Sequence, residues 1–77
     1  MKERMWKDAD NGTHYYFETL NGRIVGQVHN VAHTKIWVSK IIVKHNDENY
    51  LGTFIGCDFA KMAIEEFWTV QDRTLLE

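Results

Sequence analysis

Seventy-seven residues with one cysteine and a formal net charge of −2 describe a single small domain with a thin core. The lone Cys57 excludes an internal disulfide and any structural zinc site built on two or more thiolates, which leaves oligomerisation as the support open to so short a chain. An apolar share of 44% is too high for a disordered chain, and nine Lys and Arg against eleven Asp and Glu exclude a globally basic nucleic-acid binder.

Met1 to Gly12 carries basic residues with no apolar run behind them, so it does not read as a secretory signal. No stretch is long and apolar enough for a membrane span, and a reducing, cytoplasmic setting is the default expectation. The segment is charged and ends in the turn-like Asp10-Asn11-Gly12. It is expected to be loosely held, with Trp6 as its one anchor.

His14 to Leu20 is rich in aromatics and predicts a strand. Asn21-Gly22 follows, a pair that tolerates positive φ and marks a hairpin. Arg23 to His29 returns as a second strand, with Gly26 as a candidate bulge. A polar loop, Asn30 to Lys35, leads into Ile36 to Val43, whose β-branched run is the clearest strand signal in the chain. His45 to Asn49 is a polar connection, and Tyr50 to Ile55 is the last predicted strand. A helix is predicted from Cys57 or Asp58 to about Val70, with Gly56, Cys57 or Asp58 as its cap and Asp58 suited to the helix dipole. Ala60, Ala63, Ile64, Phe67 and Gln71 share one helical face, which Phe59, Met62 and Trp68 widen. Lys61, Glu65 and Asp72 form the expected wet side, and Asp72 to Glu77 an irregular tail with Leu75 and Leu76 as an apolar hook. No proline, repeat or linker divides the chain, so residues 1–77 form one domain. The predicted fold is α+β: a three- to four-stranded antiparallel meander with one C-terminal helix on one face.

Alternation along the third predicted strand places Trp37, Ser39, Ile41 and Val43 on one face and Ile36, Val38, Lys40, Ile42 and Lys44 on the other. Both sets are largely apolar, yet one helix covers one face. The second face must meet the N-terminal segment or another molecule.

Trp37-Val38-Ser39-Lys40-Ile41, Leu51-Gly52-Thr53-Phe54 and Ala60 to Glu65, with Gly26 and Val28 upstream, carry a resemblance. The region from Ile36 to Phe67, a little under half of the chain, resembles the plant ethylene-response-factor (Apetala-type) DNA-binding domain and similar domains of some phage integrases and homing endonucleases. In its general make-up the chain also resembles small phage or environmental proteins. The resemblance implies a sheet packed on an alanine-bearing helix through the Leu-Gly-Thr-Phe corner, where Gly52 permits close packing and Phe54 enters the core. It also implies DNA contacts on the far sheet face. Carried across, those positions are Lys40, Ile42, Glu48 and Tyr50, of which Lys40 and Tyr50 suit DNA. Ile42 and Glu48 depart from the arginines that read guanine and phosphate.

Four further sets of residues carry candidate chemistry. His29 and His33, with His14, His45 and Cys57, are metal-ligand types, but the spacing fixes no third ligand and no metal or cofactor is assigned. Cys57 at a helix start is where a thiolate would be stabilised, but a sheet with one helix leaves little room for a catalytic cleft, and no enzyme activity is expected. Arg23, Lys35, Lys40 and Lys44, with Trp37 and Tyr50, are candidates for a basic and aromatic nucleic-acid surface. Tyr15, Phe17, Val38 and Ile42, with Val25, are candidates for a self-complementary apolar interface. The resulting expectation is a non-catalytic interaction module acting as a homo-oligomer, a dimer first of all, with nucleic-acid binding as the alternative.

Overall fold

The computed structural model describes residues 3–9, 12–44 and 47–76, with the side chains of Leu75 and Leu76 outside that description. The strands are β1 (Arg4–Ala9), β2 (Thr13–Glu18), β3 (Ile24–Asn30), β4 (Ile36–Lys44) and β5 (Asp47–Ile55), followed by helix α1 (Cys57–Leu76). The strands form one antiparallel sheet in the order β1-β2-β3-β4-β5, a pure meander with the helix packed on it. The sheet therefore has five strands where the sequence predicts three to four.

The added strand is β1. The N-terminal segment, expected to be loosely held, pairs with β2 from Arg4↔Glu18 to Ala9↔Thr13. Its expected anchor, Trp6, packs against the core cluster. The predicted turn residues Asp10 and Asn11 and the polar His45 and Asn46 lie outside the described residues.

The β2–β3 connection contains Asn21-Gly22 but is longer than the two-residue turn expected: β2 ends at Glu18 and β3 begins at Ile24, and of the pair only Gly22 has positive φ. Gly22 takes φ 73°, its N–H donates to the Glu18 carbonyl at 2.8 Å, and the Asn21 side chain accepts from the Arg23 N–H at 2.8 Å. The bulge falls beside Gly26: Tyr16 pairs with Gly26 and Phe17 with Ile24, so Val25 is the extra residue. A Cβ on Gly26 would lie 2.7 Å from Ile64 Cγ2, which identifies the helix side of β3.

The core is small. Val28, Ile41, Ala60 and Ile64 are its buried members, ringed by Trp6, Tyr16, Trp37, Leu51, Phe54, Cys57, Phe67 and Trp68. Buried Ser39 donates to the Ala60 carbonyl at 2.8 Å, fixing the helix above β4. The Leu-Gly-Thr-Phe corner works differently from the expectation. The Phe54 ring, on the same strand, takes the space over Gly52, where a Cβ would meet it at 2.9 Å. The turn into the helix is made at Gly56 (φ 105°), whose carbonyl accepts from the Ala60 N–H at 3.3 Å.

Helix α1 continues to Leu76, so its end replaces the predicted irregular tail. Its buried face is centred, as expected, on Ala60 and Ile64 with Phe67 and Trp68 beside them, but Phe59 and Met62 do not widen it. Ala60 and Ile64 are fully buried, and at 100° per residue this turns Phe59 and Met62 outward, 62% and 58% exposed. Gln71 is likewise exposed. Lys61, Glu65 and Asp72, predicted as the wet side, line the flank that meets β1. Arg4 donates to both Asp72 carboxylate oxygens at 2.9 and 3.1 Å, and Trp6 Nε1 donates to Glu65 at 2.8 Å. Lys61 lies over the Trp6 ring and Arg4 over the Trp68 ring. Trp68 Nε1 donates to the Val25 carbonyl at 3.0 Å. These contacts join the helix to the edge strand it does not cover.

Candidate interaction face

The helix side of the sheet is defined by Gly26, Val28, Ser39, Ile41 and Trp37, so alternation places their neighbours on the open side. The strand registers then give the open face in rows across the sheet. One row reads Lys7, Tyr15, Gln27, Lys40 and Tyr50, one residue from each strand. The next reads Ala9, Thr13, His29, Val38 and Thr53. On the other side of the first lie Met5, Phe17 and Ile24, then Ile42 with Glu48.

All four candidate interface residues, Tyr15, Phe17, Val38 and Ile42, stand on this face, each half-buried by its neighbours alone. Val25, grouped with them from sequence, does not. The bulge turns it away and it is fully buried. Ile36, placed on this face by alternation, extends the apolar surface and is 40% exposed; sequence reasoning missed Met5, Ile24 and Ile55, which extend it further and are 53%, 41% and 73% exposed. Met5 could be found only once β1 was known to be a strand. Two shallow grooves share Tyr15, Gly22 and Ile24, and Ile42 and Phe17 each line one of them.

The candidate nucleic-acid residues are divided. Lys40 and Tyr50 are cross-strand partners on the open face. Lys40 also faces Glu48 at 3.5 Å, and the Tyr50 hydroxyl is hydrogen-bonded to Thr53 Oγ1. Lys44 is exposed at the far end of β4. Arg23, at the same end of the sheet, donates to the Val43 carbonyl. Lys35 sits in the β3–β4 connection at the opposite end, a strand length of roughly 25–30 Å from Lys44. Trp37 is on the helix side, 5.5 Å from His14, and is not part of the surface.

Among the described residues the candidate metal and thiol groups are not brought together. His14 and His29 lie on opposite sides of the sheet, and His14 is paired with Asp8. His33 is in the loop with φ 60°, and His45 lies outside the described residues. Among the described residues, no three of His, Cys, Asp and Glu are grouped to hold a metal. Burial pushes the Cys57 thiol up, against a weaker downward pull from Lys61, so the expected stabilised thiolate is corrected to a thiol held in its neutral form. Among the described residues no helix is long and apolar enough to cross a membrane.

No family model matches the chain, and no curated protein or solved structure matches it either.

Proposed function

We propose that the chain is a non-catalytic interaction module that works as a homo-oligomer, with the open face of its sheet as the contact surface. The observation that carries this reading is the imbalance between the two faces. The helix face supports a core cluster of four buried side chains. The open face presents Met5, Tyr15, Phe17, Ile24, Ile36, Val38, Ile42, Tyr50 and Ile55, and among the described residues no element packs over them. A face this rich in uncovered apolar side chains marks a binding site, and covering it with a second copy would stabilise a small domain. A reducing, cytoplasmic setting agrees with the single, unpaired Cys57.

Backbone amide chemical shifts followed on dilution test the reading. Residues of β2 and β4 on the open face should move as the dimer dissociates, while the outward helix residues Phe59, Met62 and Glu66 stay fixed. Shifts confined to the helix would contradict it.

The alternative is a nucleic-acid reader using the same face. The alternation of Lys7, Tyr15, Lys40 and Tyr50 in one row favours it, since stacking rings between cations suit a single strand. The Apetala-type resemblance points to the same face. Glu48 beside Lys40 and the net charge of −2 weigh against it. Fluorescence anisotropy of labelled single- and double-stranded DNA at low salt separates the two. Binding that weakens steeply with salt supports the alternative.

A further inference from the structure

The central row of the open face has a property that the homo-oligomer reading alone does not use. From β1 to β5 it reads Lys7, Tyr15, Gln27, Lys40, Tyr50. Reversed and laid on itself, every lysine falls on a tyrosine and Gln27 falls on Gln27. We propose that two copies pack open face to open face about a twofold axis running along β3, so that β1 of each lies over β5 of the other. This proposal rests on the homo-oligomer reading and specifies its geometry.

The charges choose the axis. Two identical sheets can stack about an in-plane twofold that runs along the strands or across them. An axis across the strands through this row sets Lys7 on the partner's Lys7 and Lys40 on the partner's Lys40, a juxtaposition of like charges. The axis along β3 sets Lys40 over the partner's Tyr15 and Lys7 over the partner's Tyr50, where a cation meets a ring face. It also brings Lys7 beside the partner's Glu48. In the flanking row Phe17 meets the partner's Ile42 and Ile24 its own copy, while Met5 falls against the partner's Glu48, whose carboxylate lies beside Lys7.

The dimensions allow it. Five strands at roughly 4.8 Å spacing give a face about 20 Å across, with facing sheets about 10 Å apart. The usual offset of about 30° between packed sheets displaces the outer strands by about 5 Å along their length, within reach of Lys and Tyr side chains. A standard interface takes about 800 Å² from each partner, roughly a seventh of the 5582 Å² accessible surface of this chain.

Single-cysteine variants in a Cys57→Ser background, treated with a short bis-maleimide, test the axis. Gln27→Cys should crosslink to itself. Lys7→Cys and Tyr50→Cys should crosslink to each other when mixed, and neither to itself. Self-crosslinking of Lys7→Cys would overturn the proposed axis while leaving the homo-oligomer reading in place. A wild type that is monomeric at every concentration would overturn both.

A double-mutant cycle on Tyr15→Leu and Lys40→Met, read as the dimer dissociation constant, gives a second test. Within one chain β3 lies between these two residues, and the same cycle repeated at concentrations where the chain is monomeric, read as unfolding free energy, removes any coupling within the chain. Each substitution should weaken the dimer about 3- to 10-fold, and the double variant by less than the product. Strict multiplicativity would overturn the pairing.

Discussion

Gly26 shows how one residue sets the distance between sheet and helix. Its missing side chain lets Ile64 come against β3, and Tyr16 Cβ closes the same space at 3.4 Å. Gly26→Ala would place a methyl group 2.7 Å from Ile64 Cγ2 in a fully buried setting, so overpacking should cost about 1–3 kcal/mol in urea unfolding. Gly22→Ala, with open space around it but φ 73°, should cost about 1 kcal/mol through backbone strain alone. Cys57 makes a different prediction. Burial holds its thiol neutral, so alkylation at neutral pH should be slower than for an exposed cysteine and should rise only at higher pH than usual. Because the folded state raises this pKa, its contribution to stability is present at neutral pH and is lost as pH rises through the folded value. In the sequence, Gly26 flagged the bulge to within one residue, since the extra residue is its neighbour Val25. What Gly26 makes room for was not legible, because Ile64 is distant in the chain and the phase of the helix decides which side chain arrives there.

Strand β1 is the element that sequence pattern could not supply. In Arg-Met-Trp-Lys-Asp-Ala neither alternating face is apolar, so no period-2 signal stands out. The strand is held instead by polar contacts to residues 59 and 68 positions away, Trp6 to Glu65 and Arg4 to Asp72. The Arg4 side chain is only 6% exposed, its guanidinium held above its usual pKa first by the hydrogen bond to Asp72. Glu18 adds a further charge contact at 3.9 Å. Arg4→Ala should therefore cost about 2 kcal/mol, as removal of a charge-assisted hydrogen bond from a sheltered site does. The loss should appear first as faster hydrogen exchange at β1 amides, with β3 and β4 little changed. The same contacts explain why Lys61, Glu65 and Asp72 read as a solvent-facing stripe. Their partners are charged or carry ring N–H groups, and hydropathy does not distinguish such partners from water. The β2–β3 hairpin and β4 were legible because Asn21-Gly22 and Ile36 to Val43 carry their signals locally.

At the scale of the whole molecule, the open face was the part of the candidate site most legible in sequence. Tyr15, Phe17, Val38 and Ile42 share it because alternation is a local rule, and it failed only where a bulge interrupts it, at Val25. The basic patch was less legible, because membership in it depends on which end of the sheet each loop occupies. Lys35 and Lys44 are near in sequence and at opposite ends of β4. The most direct test of the central claim is molar mass by light scattering across a wide range of concentration, for the wild type and for Ile42→Glu. The wild type should reach twice the 9.1 kDa chain mass, and the Ile42→Glu variant should stay folded at the single-chain mass. A wild type at 9.1 kDa at every concentration, or an Ile42→Glu variant that dimerises as the wild type does, would contradict that claim.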